Sequence, residues 1–309
     1  MTLTDPDDVL APFRARFARA VDDIVAPVVV GCSGGADSTA LLALTVDARL
    51  APIAVHVDHG LRPDSAADSS RVVGIAAQLG ARVDACAVTV EPGANLEERA
   101  RDARYAALEA ARHEHGATAV FVGHTADDQA ETVLLNLLRG AASAGLGGMR
   151  ARRGTLVRPL LEFRRSETAA VCDALGVRVV RDPMNDDETF RRVAVRRRVL
   201  PLLGGIAGRD IAPVLARQAE ILREESDYLD DLARAAWPGD RAPSARSLME
   251  LHPVLARRAV RVWLGPPPPS SAEVARVLEV AAGRCRATEL AGGRTVRRTA
   301  GQLRVEPHG

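Results

Sequence analysis

The sequence predicts an α/β fold: a doubly wound, mostly parallel sheet followed by a smaller, mainly helical second domain. Three observations predict it. Short β-branched or aliphatic runs alternate with longer amphipathic stretches; that alternation stops near residue 205; and the remainder reads as helices punctuated by proline and closed by a hairpin. Strand, helix and strand in repetition imply crossover units and parallel neighbours. In such sheets ligands bind beyond the carboxyl ends of the strands.

The expected strands, in order, are "PVVVGC" (27–32), "PIAVHVD" (52–58), "RVDACAVTV" (82–90) and "TAVFVGH" (118–124), with weaker runs "TLVRPLL" (155–161) and "VRVVRD" (177–182). Between them "SAADSSRVVGIAAQLG" (65–80) and "LEERARDARYAALEAARHEHG" (96–116) carry helical periodicity. After "RVLPLLGG" (198–205) come "APVLARQAEILREESDYLDDLARAAW" (212–237) and "RSLMELHPVLARRAVRVWL" (246–264), the breaker "GPPPPSS" (265–271) and a further helix. The end, "ATELAGGRTVRRTAGQLRVE" (287–306), alternates around Gly-Gly as a hairpin does. We expect the domains to be 1–207 and 208–309.

Composition narrows the function. With 309 residues, 47% hydrophobic and 26% charged, the chain is long enough for about two globular domains. Its 41 basic residues nearly cancel 40 acidic ones, for a net charge of +1, so any affinity for nucleic acid must come from a local patch. Every basic residue is arginine. A chain without lysine cannot build a Walker A loop, a Schiff base or a lysyl-adenylate. Cys32, Cys86, Cys172 and Cys285 are scattered, without metal-binding spacing, and read as buried thiols of a reduced compartment. The start "MTLTDPDDVL" is unlike a signal peptide, and no apolar run is long enough to span a membrane. A cytoplasmic location is the expectation.

The most informative stretch is "VVVGCSGGADSTALLAL" (28–44), a buried strand, a turn almost devoid of side chains and a helix start. Backbone N–H groups at such a junction hold phosphate, and glycine lets the phosphate approach. In Ser33-Gly34-Gly35-Ala36-Asp37-Ser38 the two hydroxyls add donors, whereas Asp37 would repel a bare anion unless Mg²⁺ bridges it to the phosphates. The plain structural alternative is a glycine turn capped by Asp37 or Ser38. Further along, His56, Asp58 and His59 end a strand, where they are either solvated or metal-binding. Asn95 and Glu98 fit a capping box, and Thr125 can cap a helix whose positive end suits Asp127 and Asp128. His124, Asp128 and Glu131 recur at spacings of four and three on one face. That surplus of carboxylates suits a cationic partner, Mg²⁺ or an amine.

The stretch at 33–38 resembles the SGGxDS loop of the N-type ATP pyrophosphatases, the PP-loop superfamily, whose fold is Rossmann-like and whose members adenylate an oxygen and release pyrophosphate. "VHVDHGLRPDS" (55–65), "NLEERARDARYAAL" (95–108) and "GHTADDQAETVLLNLLRG" (123–140), then "RPLL" (158–161), "DPMNDD" (182–187) and "RRVAVRRRVLPLL" (191–203), are similar in order and spacing to the bacterial tRNA(Ile)-lysidine synthetases. The resemblance covers most of residues 28–205, and only loosely the second domain.

That resemblance implies an ATP-dependent ligase. The wobble cytidine of the CAU anticodon of tRNA(Ile) is adenylated at O2 with release of pyrophosphate, and the amine of free L-lysine then displaces AMP at C2. It implies ATP and Mg²⁺ as cofactors, with Ser33, Gly34, Gly35, Ala36, Asp37, Ser38, His56 and Asp58 binding the nucleotide, and Asp37 and Asp128 the metal. Asp37, His124, Asp128 and Arg196 are the implied catalytic set; Asp127, Asp128, Glu131, Arg104 and Arg192 the implied substrate set. The sequence departs from the family at Val193, where an asparagine usually follows arginine. Arginine is dense from Arg150 to Arg198, and beside an ATP site we expect these side chains to contact RNA phosphates. The sequence permits a homodimer without requiring one. Two other readings share the loop: a tRNA thiolase, which needs reactive thiolates, and an ATP-binding sensor that never releases AMP.

Overall fold

The structure, a computed structural model, describes residues 6–58, 65–88, 93, 96–179, 188–238 and 243–307. Helix α1 (Pro6–Ala20) precedes the first expected strand and turns Leu10 and Phe17 into the core. Strand β1 (Val28–Gly31) follows, then α2 (Ala36–Asp47), β2 (Pro52–Asp58), α3 (Ser65–Gln78), β3 (Arg82–Ala87), α4 (Leu96–Glu114), β4 (Ala119–Phe121) and α5 (Ala126–Leu138). After the one-turn α6 (Ser143–Leu146) come two-residue strands β5 (Arg152–Arg153) and β6 (Leu156–Val157), then α7 (Arg165–Ala174).

The six strands lie in the order β3-β2-β1-β4-β6-β5. All pairs are parallel except β5 with β6. Strands buried on both faces must be apolar throughout, and the pleat divides them cleanly. Val28, Val30, Ala54 and Phe121 pack with Phe17, Leu41, Leu44 and Phe163 on one face. Val29, Ile53, Val55 and Val120 pack with Leu108 of α4 on the other. Strand order reverses at β1, which pairs with β2 on one side and β4 on the other. A doubly wound sheet offers its ligand crevice at such a reversal.

Two of the expected strands come out differently. "TLVRPLL" contributes only Leu156–Val157, and residues 177–179 of "VRVVRD" are irregular, the rest lying outside the described residues together with "DPMNDD". Arg191–Ala194 (α8) runs through a π-helical turn, Val195–Val199, into α9 (Leu200–Ala207), which stops at the left-handed Gly208.

Two compact units partition the chain, Met1–Glu220 and Ile221–Gly309. The division falls inside α10 (Ala212–Ala236) and not at residue 207, because residues 212–220 of that helix belong with the first unit. The second unit also holds α11 (Ala245–Glu250), α12 (Pro253–Leu264) and α13 (Ser271–Ala281). Proline at the start of α12 breaks what the sequence reads as one run, since His252 before it is pushed out of helical geometry and caps with its ring. The expected hairpin is a three-stranded meander, β7 (Ala287–Leu290), β8 (Arg294–Thr299) and β9 (Gln302–Pro307). Its second turn, at Ala300-Gly301, has both φ values positive, a geometry that Ala-Gly does not announce as Asn-Gly would. Val277, Val280, Val296, Leu303 and Trp237 fill this unit's core.

Candidate functional site

The crevice is built from the carboxyl ends of β1 and β4. At the first, Gly34 takes φ +80°, which only glycine adopts freely, and Gly35 becomes the N-cap of α2 without a side-chain cap. Neither Asp37 nor Ser38 caps the helix, so the plain structural alternative fails. Ser38 Oγ instead ties the loop, accepting from Ser33 N–H at 3.2 Å and donating to the Gly35 carbonyl at 3.1 Å. The helix start thus keeps its positive dipole end facing the crevice. His56, at the end of β2, is buried and donates Nδ1–H to the Cys32 carbonyl at 3.0 Å. Asp58 ends the same strand, half-buried; His59 and Asn95 lie outside the described residues.

At the second strand end, a Cβ on Gly123 would sit 3.0 Å from the Asp37 carbonyl carbon and 3.1 Å from Ser38 N. Only a glycine lets the β4 end press against the phosphate loop, a role the sequence offered without a local signal. His124 follows, half-buried, with Nδ1 accepting from Arg158 Nε at 3.2 Å. Burial, reinforced by Arg158, Arg192 and Arg101, pushes this imidazole down to about 3 despite the nearby Asp128. The ring is therefore neutral near pH 7, its proton on Nε2. Thr125 then caps α5 as expected: its N–H and hydroxyl both donate to Asp128 Oδ2 at 2.9 Å.

The carboxylates of α5 are not a surplus. Asp127 accepts two bonds from Arg164, at 2.8 and 3.0 Å, and one from the Arg165 backbone N–H at 2.8 Å, and so clasps the start of α7. Glu131, fully buried, meets Arg196 Nε at 2.7 Å, Arg192 Nε at 3.0 Å and Arg165 Nη1 at 3.3 Å. Arg165 also reaches Asp128 Oδ1 at 3.0 Å and Asp37 Oδ2 at 3.6 Å. The Thr168 hydroxyl, one turn along α7, donates to Asp37 Oδ1. Burial raises the Asp37 carboxyl, with Thr168 and Arg165 opposing. For Asp128 burial also raises, but Arg165 and Arg192 outweigh it and leave the carboxyl below its ordinary value.

These pairings commit six of the arginines from Arg150 to Arg198 to acids of the chain itself, so the expectation that this stretch meets RNA rests on others, among them Arg153 and Arg158. Arg164, Arg165, Arg192 and Arg196 neutralise acids of the α5 end, Arg152 pairs with Asp23 and Arg198 with Glu188, because each of these acids lies within ion-pair reach. Cationic character survives nearby. Arg104, half-buried on α4, has its pKa lowered by loss of water, and its charged neighbours include Arg101 and Arg192. A cavity of about 1000 Å³ opens between α4, β4 and β6, where Arg101, Arg139, Arg153 and Arg158 outnumber the acids Glu98, Asp102 and Glu109 of the same wall. Arg158 joins this cavity to His124.

Mg²⁺ is typically held by one or two carboxylates together with substrate phosphates, not by a protein cage. Among the described residues no group of three or more His, Cys, Asp or Glu converges. Asp37 and Asp128 nonetheless share the Arg165 guanidinium, so positive charge is already drawn to both carboxylates, and two carboxylates beside a phosphate loop are the donor chemistry Mg²⁺ uses.

The cysteines split. Cys32 and Cys172 are buried as expected, Cys86 is half-buried, and Cys285 is exposed, contrary to the reading of all four as core thiols. Among the described residues no single helix is long and apolar enough to cross a membrane.

A parallel sheet with an uncapped glycine loop at its strand-order reversal defines a PP-loop ATP-binding protein, and the PP-loop domain family matches residues 12–203. The tRNA(Ile)-lysidine synthase of Mycobacterium tuberculosis is 43% identical over 275 residues, covering 84% of this chain and 82% of that protein. That of Salinispora arenicola is 44% identical, covering 82% of each. That of Deinococcus deserti is 41% identical over 307 residues, covering 96% of this chain and 54% of that protein. The chain belongs to the tRNA(Ile)-lysidine synthase family. Among solved structures, the U34-tRNA thiolase NcsA from Methanococcus maripaludis shares the fold, with a TM-score of 0.59 at 17% identity over 71% of this chain and 80% of that one.

Proposed function

We propose that this chain ligates L-lysine to C2 of the wobble cytidine of tRNA(Ile) bearing a CAU anticodon, through an O2-adenylated intermediate made from ATP. The cytidine O2 attacks the α-phosphorus of ATP and pyrophosphate leaves; the lysine amine then attacks C2, and AMP departs with the O2 oxygen. The observation that carries the reading is the 41–44% identity to tRNA(Ile)-lysidine synthases over most of the chain, with the PP-loop match at 12–203 taking in the crevice from Ser33 to Arg196.

Each side chain has a task in that reading. The N–H groups at the start of α2, with Ser33 and Ser38, receive the phosphates, where preorganised donors stabilise charge on the leaving pyrophosphate. His56 shapes the loop by holding the Cys32 carbonyl. Asp37 and Asp128 would hold Mg²⁺, which when bound supplies neutralising charge to the phosphate chain. Asp58, at the end of β2, is a further candidate for the nucleotide. His124, neutral with its proton on Nε2, is a hydrogen-bond donor to substrate and not the base that deprotonates lysine. Asp127 positions α7, and Glu131 with Arg192 and Arg196 forms a buried hub that sets the crevice wall, so these residues act at one remove from the reacting atoms. Arg104 and the arginines of the adjoining cavity supply positive charge for the anticodon-loop phosphates.

The thiolase alternative finds little support in the thiols. Burial raises the pKa of Cys32 and of Cys86, and that of Cys172 is pushed up to about 12, which suppresses the thiolate such chemistry needs. The test is incubation with ATP, Mg²⁺, labelled lysine and tRNA. Label should enter tRNA(Ile) with the CAU anticodon and no other tRNA, with AMP released in equal amount; release of AMP without label, or no AMP at all, refutes the reading.

A further inference from the structure

One side chain of the crevice stands where the proposed reaction needs something else. The Arg165 guanidinium lies 3.0 Å from Asp128 Oδ1, 3.6 Å from Asp37 Oδ2 and 3.3 Å from Glu131 Oε1. It thus spans the two carboxylates assigned to the metal. We propose that Arg165 is the resident counter-ion of the Asp37–Asp128 pair, and that a divalent cation enters this site by exchange with its guanidinium. The inference rests on the reading of Asp37 and Asp128 as metal ligands.

Three features fit exchange better than a fixed ion pair. The contact to Asp37 is too long for a good hydrogen bond, so Coulomb attraction holds it and a competing cation can take it over. Glu131, once released by Arg165, keeps Arg192 and Arg196, so no buried carboxylate is stranded when the guanidinium leaves. The helix that carries Arg165 is anchored independently: the Arg165 N–H donates to Asp127 Oδ2 at 2.8 Å, and Arg164 grips the same carboxylate. The side chain, about a third exposed at 30%, can therefore swing while α7 stays in place.

Exchange of this kind solves a charge problem. Without metal, Asp37, Asp128 and Glu131 would be a cluster of like charges in a low-dielectric crevice, which disfavours ionisation. With metal bound, the displaced guanidinium is a free planar donor beside the phosphate loop, the shape and charge that suit a phosphate. The negative pair stays neutralised in both states.

The experiment measures Mn²⁺ binding to the full chain without nucleotide, by the loss of free-ion electron paramagnetic resonance signal. Removing the competing cation in Arg165→Met should tighten Mn²⁺ binding by about tenfold or more. Arg165→Lys, which keeps a charge but cannot span two carboxylates, should fall between. Circular dichroism and thermal melts confirm that the variants are folded, and Lys stands in if Met is not. Asp37→Asn and Asp128→Asn, each in the wild-type and Arg165→Met backgrounds, should abolish the tight site. If Mn²⁺ affinity responds to the two carboxylates but is unchanged or weaker in a folded Arg165 variant, exchange is overturned and the metal assignment survives. If it ignores the carboxylates, both fall together.

Discussion

The sequence places Glu131 in the substrate set, where it would contact the lysine amine; the structure surrounds it with arginines. Replacing it by glutamine separates the two roles, because the shape is kept and only the charge removed. Glu131 has no solvent exposure, and its three partners approach at 2.7, 3.0 and 3.3 Å. Removing one member of a buried ion network costs about 3–5 kcal/mol, chiefly through the charges left unpaired. The arginine side chains are 30%, 25% and 26% exposed, so they can recover some water. Arg165 also retains Asp128, and Arg192 retains the Thr132 hydroxyl at 2.9 Å. The lower end of the range therefore applies, about 3 kcal/mol.

For a folding unit of this size each kcal/mol moves the melting temperature by about 2–4 °C, so Glu131→Gln should melt about 6–12 °C below wild type. Arg196→Met added to it should destabilise by less than the sum of the single changes, with a coupling of about 0.5–3 kcal/mol. Thermal melts of the four proteins give both numbers. A Glu131→Gln protein that melts within about 2 °C of wild type while its KM for lysine rises would refute the hub and restore Glu131 to the substrate.

Other outcomes follow from the same geometry. Asp37→Ala should leave the fold intact and lower tRNA-dependent ATP–pyrophosphate exchange by about 10²-fold or more; exchange within about threefold of wild type would remove Asp37 from the chemistry. His124 is held neutral at about 3 by burial against an ordinary value of 6.5. The unfolded chain thus binds a proton that the folded one does not, and stability is lost as pH falls below 6.5, at about 1.4 kcal/mol per unit. Melting temperature between pH 6.5 and 5 should be flatter in His124→Gln than in wild type, and parallel curves would contradict the neutral ring. Binding of tRNA should weaken with salt at a log–log slope of about −2 to −3.5, for three to five phosphate contacts, and a flat titration would leave the cavity arginines without RNA. Replacing Cys32, Cys86, Cys172 and Cys285 together by Ser or Ala should keep lysine incorporation within about tenfold of wild type, provided a melt in the presence of ATP shows the protein folded.

Much of the fold was legible because parallel strands buried on both faces leave an unbroken apolar signature, as in Val28-Val29-Val30 and Ile53-Ala54-Val55. The phosphate loop was legible for a related reason: Gly34 must take a positive φ, and such demands restrict residue type. Two-residue strands and the Ala300-Gly301 turn carry no comparable restriction, and the reading there was incomplete. The partners of the crevice were the least legible. Asp127, Asp128 and Glu131 advertise a missing cation, but the cations that satisfy them come from α7 and from the Arg192–Arg196 turn, and sequence distance hides the pairing. Thr168, whose hydroxyl reaches Asp37 across 131 residues, had no local signal at all.

The absence of lysine turns out to bear on that crevice as well as on the chemistry the chain cannot perform. A buried ammonium can shed its proton and is a compact point charge, whereas arginine stays charged and presents a planar fork. Arg165 uses that fork to reach three carboxylates at once, and Arg164 uses it to hold Asp127 in two bonds. A lysine at either place could satisfy one carboxylate well but would give up the forked contact that holds Asp127 and the span from Asp128 to Asp37. The same fork that neutralises the acids at rest is the geometry phosphate requires. An arginine-only crevice can therefore pass its cations from carboxylate to phosphate without changing protonation state, which is what a site alternating between empty and ATP-loaded states needs.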